Sequence, residues 1–241
     1  MCEACEREQQ GPSRRGLLAG VAAGAGLAVS AGALAAPQVE PPKPQNAISP
    51  DEALHRLMVG NARYVDGVTR RHDFAHEREA LAAGQNPYAA VLGCADSRIA
   101  PEYAFDTARG DLFVCRVAGN FGSDEVVASL EYAVAVLNTP LIMVLGHGAC
   151  GAVSSTIQSL KTGEVLPGHL PSLVAAIAPA VRASQGEPGD PLANAIRENV
   201  VLNVRALTHA GPILDSAVKA GKLRIVGGVY NLADGKVEQV A

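Results

Sequence analysis

Four short, largely apolar runs fenced by glycine or proline set the pattern of this chain: Tyr88 to Gly93, Asp111 to Arg116, Pro140 to Gly146 and Leu223 to Tyr230. They do not alternate with polar residues, so they read as strands buried on both faces. Helical spacing fills the stretches between them. Val126, Leu130, Ala133, Val134 and Leu137 line one face, and Leu192, Ile196, Val200, Val204 and Leu207 line another. Pro212 to Ala220 reads as a short further helix and Gly235 to Val240 as a short edge strand. Upstream, Ser49-Pro50-Asp51-Glu52 is a helix start, with Ser49 as N-cap, Pro50 at the first helical position and Glu52 closing a capping box. Leu54, Leu57, Met58 and Val65 continue that helix to about Gly67, and a second helix is expected near Ala75 to Ala83, stopped by Gly84. Alternating strands and helices predict an α/β fold: a parallel-core β-sheet flanked by helices, with an N-terminal helical arm and right-handed crossovers.

The first 48 residues stand outside this pattern. Ser13-Arg14-Arg15-Gly16-Leu17-Leu18 is a twin-arginine motif, followed by an uncharged Ala/Gly/Leu/Val run and an A-x-A site at Ala33-Leu34-Ala35. We read residues 1–35 as a twin-arginine signal peptide, 36–48 as a Pro-rich linker and 49–241 as one domain. The expected location is periplasmic or secreted. The apolar run is long enough to span a bilayer, so an uncleaved anchor is the alternative; its Gly and Ala content makes it weakly apolar, and no stable membrane anchor is expected. The net charge is −4, and removing residues 1–35 takes away three Arg and three Glu and leaves it there. Basic residues are scattered, with no footprint for nucleic acid.

The chemistry concentrates in two segments. Cys94-Ala95-Asp96-Ser97-Arg98 follows the first strand, and His147-Gly148-Ala149-Cys150 follows the third, 53 residues later. Ligand sites in open α/β sheets lie beyond the carboxyl ends of strands, so the two segments are expected to meet. Cys94, His147 and Cys150 supply three ligands of the type that Zn²⁺ favours, and Asp96 is a fourth that water could replace. Zn²⁺ with two thiolates is net neutral and acidifies water less than an all-histidine site, so help is needed. Asp96, if free of the metal, would orient the reacting water, and Arg98 would hold Asp96 by a charge-assisted contact. An Asp96 bound to zinc would switch the site off. Cys115 reads as core packing. Cys2 and Cys5 form a C-x-x-C inside the segment expected to be removed, and the three cysteines that remain argue against a disulfide framework. Zinc loaded before export would cap Cys94 and Cys150 against oxidants.

From about Ser49 to the C-terminus, the chain resembles the β-class carbonic anhydrases. The resemblance rests on C-x-D-S-R at 94–98, Gly110-Asp111-Leu112-Phe113-Val114 with Arg116-Val117-Ala118-Gly119-Asn120, Glu131-Tyr132-Ala133-Val134, Gly146 to Gly151, Gly221-Lys222-Leu223 and Tyr230-Asn231-Leu232. It implies reversible hydration of CO₂ to bicarbonate and a proton, with one zinc per subunit on Cys94, His147 and Cys150 and an Asp96–Arg98 pair beside it. It also implies substrate contacts from Gln85, Phe113 and Tyr132, as in the plant-like branch, with Gln85 reaching across a subunit interface in a homodimer or dimer of dimers. The branch with a bicarbonate-effector pocket carries Trp where this chain has Val91, and the chain has no Trp; Arg116 is shared by both branches. Bicarbonate inhibition of that kind is therefore not expected.

Other readings keep the same residues. Relatives hydrolyse carbonyl sulfide or carbon disulfide on this fold. Cys94 could instead be a nucleophile with His147 as its base, or the cluster could be a zinc that stabilises a non-catalytic module. Phe113 and Tyr132 could be plain core residues and Gln85 a surface residue.

Overall fold

Five strands form one sheet in the order β2-β1-β3-β4-β5: β1 (Ala89–Gly93), β2 (Leu112–Arg116), β3 (Leu141–His147), β4 (Arg224–Tyr230) and β5 (Val237–Gln239). The first four pair in parallel and β5 runs antiparallel to β4. The structure is a computed structural model and describes residues 47–241. The signal peptide read at 1–35, and the linker up to residue 46, lie outside the described residues. Among the described residues, no helix is long and apolar enough to cross a membrane.

The helices are α1 (Pro50–Val65), α2 (Phe74–Leu81), α3 (Pro101–Ala104), α4 (Asp124–Ala135), α5 (Gly151–Thr162), α6 (Leu170–Ala183), α7 (Pro191–Thr208) and α8 (Ile213–Lys219). The Ser49 hydroxyl accepts from the Glu52 N–H at 3.2 Å, which is the expected N-cap of α1. The N-terminal helix α1 packs on the sheet. Ala53, Leu54 and Leu57 bury against Val91, Leu141, Met143 and Leu145 on one face of the sheet. On the other face, Ala90, Leu92, Ile142 and Val144 meet Leu130 and Ala133 of α4, Val200 and Leu207 of α7, and Leu214 of α8. The period of two along β1 and β3 explains why adjacent residues serve opposite cores, and why these strands are apolar throughout.

α7 packs tightly on the sheet over two glycines. A Cβ on Gly146 of β3 would lie 2.7 Å from Val200 Cγ2, and one on Gly227 of β4 would lie 2.5 Å from Val200 Cγ1. Neither glycine has a positive φ, so their smallness serves space alone. At the carboxyl ends of β1 and β3 a third apolar cluster joins Cys94 and Cys150 to Val153 of α5, Ile177 and Val181 of α6, and Ala195 and Ile196 of α7. β2 is different. It is the sheet edge, and none of its five residues is fully buried, whereas all of β1 and β3 is.

Candidate metal centre

Strand register assembles the site. Gly93 pairs with Leu145, so Cys94 and His147 leave neighbouring strands at the same end of the sheet. The turn after His147 is held by the Gly148 N–H on the Tyr230 carbonyl at 2.9 Å. It reverses through Ala149, which takes a left-handed φ of 51°, and delivers Cys150 as the N-cap of α5. The ligand atoms of Cys94, His147 and Cys150 all lie within 4.8 Å of one another, and all three residues are buried.

The donor set fits zinc in detail. His147 Nδ1 is 2.9 Å from the Gly148 carbonyl, which only accepts, so Nδ1 carries the proton. Nε2 is left as a buried nitrogen with no hydrogen-bond partner among the described residues, the kind of atom that a metal ion would satisfy. The neighbouring Cys150 thiol, against the effect of burial, holds the Cys94 thiol down to about 4, with His147 and the Gly119 N–H helping. Cys150 is pushed up by Cys94 and by burial. Burial pulls His147 down, but the Cys94 sulfur and the Gly148 carbonyl outweigh it and raise it. Two soft sulfurs and one imidazole nitrogen at this spacing are a zinc donor set.

Asp96 is turned to Arg98. Arg98 Nε donates to Oδ1 at 2.9 Å, Nη2 to Oδ2 at 2.6 Å, and the Arg98 backbone N–H to Oδ1 at 2.9 Å. Arg98 Nη2 also donates to the Ala149 carbonyl at 3.2 Å, tying the pair to the turn between two ligands. The Arg98 side chain holds the Asp96 carboxyl well below the usual carboxylate range. Oδ2 stays within reach of the cluster, 3.8 Å from His147 Nε2.

The five residues that the two motifs contribute are thus brought together. Phe113 on β2 and Tyr132 on α4 also meet, with ring centroids 6.3 Å apart; Phe113 is half-buried and Tyr132 is 48% exposed. Gln85 stands exposed on the loop before β1. Sequence reasoning missed two supports. Arg116 clamps the first loop, donating from Nε to the Cys94 carbonyl at 2.8 Å and from Nη2 to the Asp96 and Ile99 carbonyls at 2.6 and 2.9 Å. The Gly119 N–H donates to Cys94 Sγ at 3.3 Å. Both lie in the 116–120 motif, which named the residues without their contacts.

Residues 89–237 match the family model described as "Carbonic anhydrase". The chain is 39% identical over 191 residues to a carbonic anhydrase of Mycolicibacterium smegmatis, covering 79% of this chain and 93% of that protein. It is 38% identical over 189 residues to carbonic anhydrase 2 of Mycobacterium tuberculosis, covering 78% and 91%. The fold resembles the Coccomyxa β-carbonic anhydrase solved in complex with acetazolamide, with a TM-score of 0.61 and 26% identity over 78% of this chain and 86% of that one. A buried Cys-His-Cys cluster at the strand ends, an aspartate gripped by arginine beside it, and relatives matched over most of their length lead to one conclusion: the chain belongs to the carbonic anhydrase family, in its β class.

Proposed function

We propose that this protein hydrates CO₂ reversibly to bicarbonate and a proton, using one zinc ion held by Cys94, His147 and Cys150. The observation that carries this reading is the pairing of the buried, unpartnered His147 Nε2 with two cysteine sulfurs, beside an Asp96 whose oxygens are both taken by Arg98. Zinc bound there supplies the Lewis acidity that makes water nucleophilic near neutral pH. The protein does the rest. The Gly148 carbonyl keeps the His147 tautomer that leaves Nε2 free to bind. Arg98 holds Asp96 by both oxygens and keeps it ionised, so that with zinc bound Asp96 would be free to accept a hydrogen bond from the reacting water and aim it. Phe113 and Tyr132, whose rings meet, would serve with Gln85 of a second subunit as an apolar wall suited to CO₂. The open edge of β2 and the exposed Tyr132 favour a homodimer or dimer of dimers around this wall.

Metal analysis and stopped-flow CO₂ hydration on the same zinc-loaded sample test the reading. One zinc per chain and activity abolished by chelation are expected. Activity that survives metal removal, with ready alkylation of Cys94, would instead establish the thiol-nucleophile reading, and faster turnover of carbonyl sulfide than of CO₂ would reassign the substrate. The twin-arginine motif supports export of the folded, metal-loaded protein to the periplasm or beyond. Cell fractionation with replacement of Arg14 and Arg15 by Lys tests this, and an unchanged distribution refutes it.

A further inference from the structure

α7 presents an apolar face to the protein interior through Ala195, Ile196, Val200 and Leu207, yet Asn199 on the same helix is only 2% exposed. A buried primary amide is costly unless its groups are paired. Here they are. Asn199 Nδ2 donates to the Gly119 carbonyl at 2.8 Å, 80 residues away in sequence. Asn203, one turn on, donates from Nδ2 to the Asn199 backbone carbonyl at 2.8 Å and to its Oδ1 at 3.4 Å. Asn203 Oδ1 in turn accepts from the Gly122 N–H at 2.9 Å. Each amide orientation is forced, because a carbonyl accepts at one end of the chain and an N–H donates at the other. Two asparagines one turn apart therefore grip both ends of the 119–122 segment.

That segment bears directly on the metal centre. Gly119 has a φ of 89° in a turn closed by the Asn120 N–H on the Val117 carbonyl at 2.9 Å. A Cβ there would lie 2.5 Å from Ile177 Cδ1, so the position has no side chain by which to be held. Its backbone carbonyl is the handle, and Asn199 takes it. On the other side of the same Cα, the Gly119 N–H points at Cys94 Sγ.

We propose that Asn199 is a positioning residue of the metal centre, holding the Gly119 backbone so that its N–H stays on the Cys94 sulfur. The proposal rests on the zinc reading above. An N–H on a ligating sulfur draws off charge and fixes the direction of its remaining lone pairs, and partners of this kind are worth about 10- to 100-fold in metal affinity or activity.

The test compares zinc-loaded wild type with Asn199→Leu, which keeps the volume and removes the donor. Val204→Ala serves as the control, thinning the packing of the same helix while leaving the amide in place. Zinc transfer to a competing chelator and the thiolate-to-metal charge-transfer band of the cobalt-substituted proteins are measured beside the melting temperature. Asn199→Leu is expected to weaken zinc retention about 10- to 100-fold and to shift the cobalt band, while Val204→Ala leaves both unchanged at a similar loss of melting temperature. Wild-type retention and spectrum in Asn199→Leu overturn the proposal. Should that variant fail to fold, Asn203→Ala loosens the same amide and must move both readouts in the same direction; unchanged values overturn the proposal equally. A wild-type protein with no thiolate band overturns the zinc reading and this proposal together, an outcome distinct from an unaffected variant of a metal-binding wild type.

Discussion

The seat of α7 on Gly146 offers a double-mutant cycle whose sign follows from the packing. In Gly146→Ala the new Cβ lies 2.7 Å from Val200 Cγ2, whereas carbon atoms rest at about 3.5–4.0 Å. Helix and strand must separate by roughly 1 Å, and overpacking of this kind costs about 1–3 kcal/mol. Val200→Ala alone removes two buried methyl groups at about 0.8 kcal/mol each and leaves a cavity, for about 2 kcal/mol in all. If the effects were independent, the double variant would lose about 4 kcal/mol. They are not independent, because the methyl added at 146 enters the space that Cγ2 vacates. The strain disappears and part of the cavity refills, so the double variant should be about 2 kcal/mol more stable than the sum of the single ones. Urea unfolding at fixed protein and zinc concentration measures this, since subunit association and metal binding both act by mass action. Additivity within about 0.5 kcal/mol would show that α7 does not rest on Gly146 as described.

The remaining predictions concern the chemistry. Asp96→Asn places an amide N–H₂ where Arg98 needs an acceptor and removes the base beside the reacting water; turnover should drop by on the order of 100-fold or more with one zinc per chain retained, and near-normal turnover would remove Asp96 from the mechanism. Arg98→Lys keeps the charge but loses the Nε/Nη2 fork, so Asp96 should move to the metal and activity should fall while zinc is held at least as firmly; loss of zinc instead would make Arg98 a structural support. In the metal-free protein Cys150 carries a proton and His147 is raised, so the logarithm of zinc affinity should climb with pH at a slope of about 1, steepening toward about 2 in acid; chelator competition that is flat with pH would contradict this. Because the Asp96 pKa is depressed, the contribution of its pair is complete above the unfolded carboxylate range of about 4 and is lost only as pH falls through the lower folded value. Activity lost between pH 7 and 5 should therefore track zinc release. Bicarbonate kinetics should be hyperbolic, since Val91 is buried and Arg116 Nε and Nη2 are committed to three carbonyls; sigmoidal kinetics would mean an effector site exists there.

What the sequence made legible follows from where the physics is local. The four strands were legible as short apolar runs fenced by glycine or proline; burial on both faces holds for β1 and β3, whereas β2, read the same way, is an edge strand whose residues are at most half-buried. Cys94, Asp96 and Arg98 lie within five residues, and His147 and Cys150 within four, so their chemistry could be read from spacing alone. α6 was not read, because Pro179 inside Leu170–Ala183 breaks the expectation of a continuous helix. Gly146 was taken as the end of a strand run and Gly227 as one more residue inside another, while both admit the methyls of Val200, a contact formed between segments far apart in sequence. Asn199 and Asn203 illustrate the same limit. Polar residues one turn apart normally mark a solvent face, and their partner at Gly119 becomes visible only in three dimensions. A signal was present: Asn199 lies on the side of α7 that carries Ile196 and Val200, where an unpaired amide would be costly. Gln85 is a different case, since its assigned role belongs to an assembly of two chains.

The Asp96–Arg98 pair is best understood through charge at the centre. On the proposed reading, zinc held by the Cys94 and Cys150 thiolates and a neutral His147 would carry no net charge, so a third anion would gain less at the metal than at an all-histidine site. Arg98 offers Asp96 three hydrogen bonds, two from its guanidinium and one from its backbone N–H. Its own placement is fixed by the Ala149 carbonyl, in a turn whose left-handed Ala149 is held between two ligands. The guanidinium is half exposed, so the pair adds little to stability as a surface ion pair. Its value lies in which of two partners the carboxylate chooses. Weak competition from a neutral metal and strong competition from a tethered arginine would bias that choice toward the open site. The same two thiolates that would make zinc a milder acid would also make it easier for Asp96 to stay away, and the carboxylate so released would supply the help that the milder acid requires.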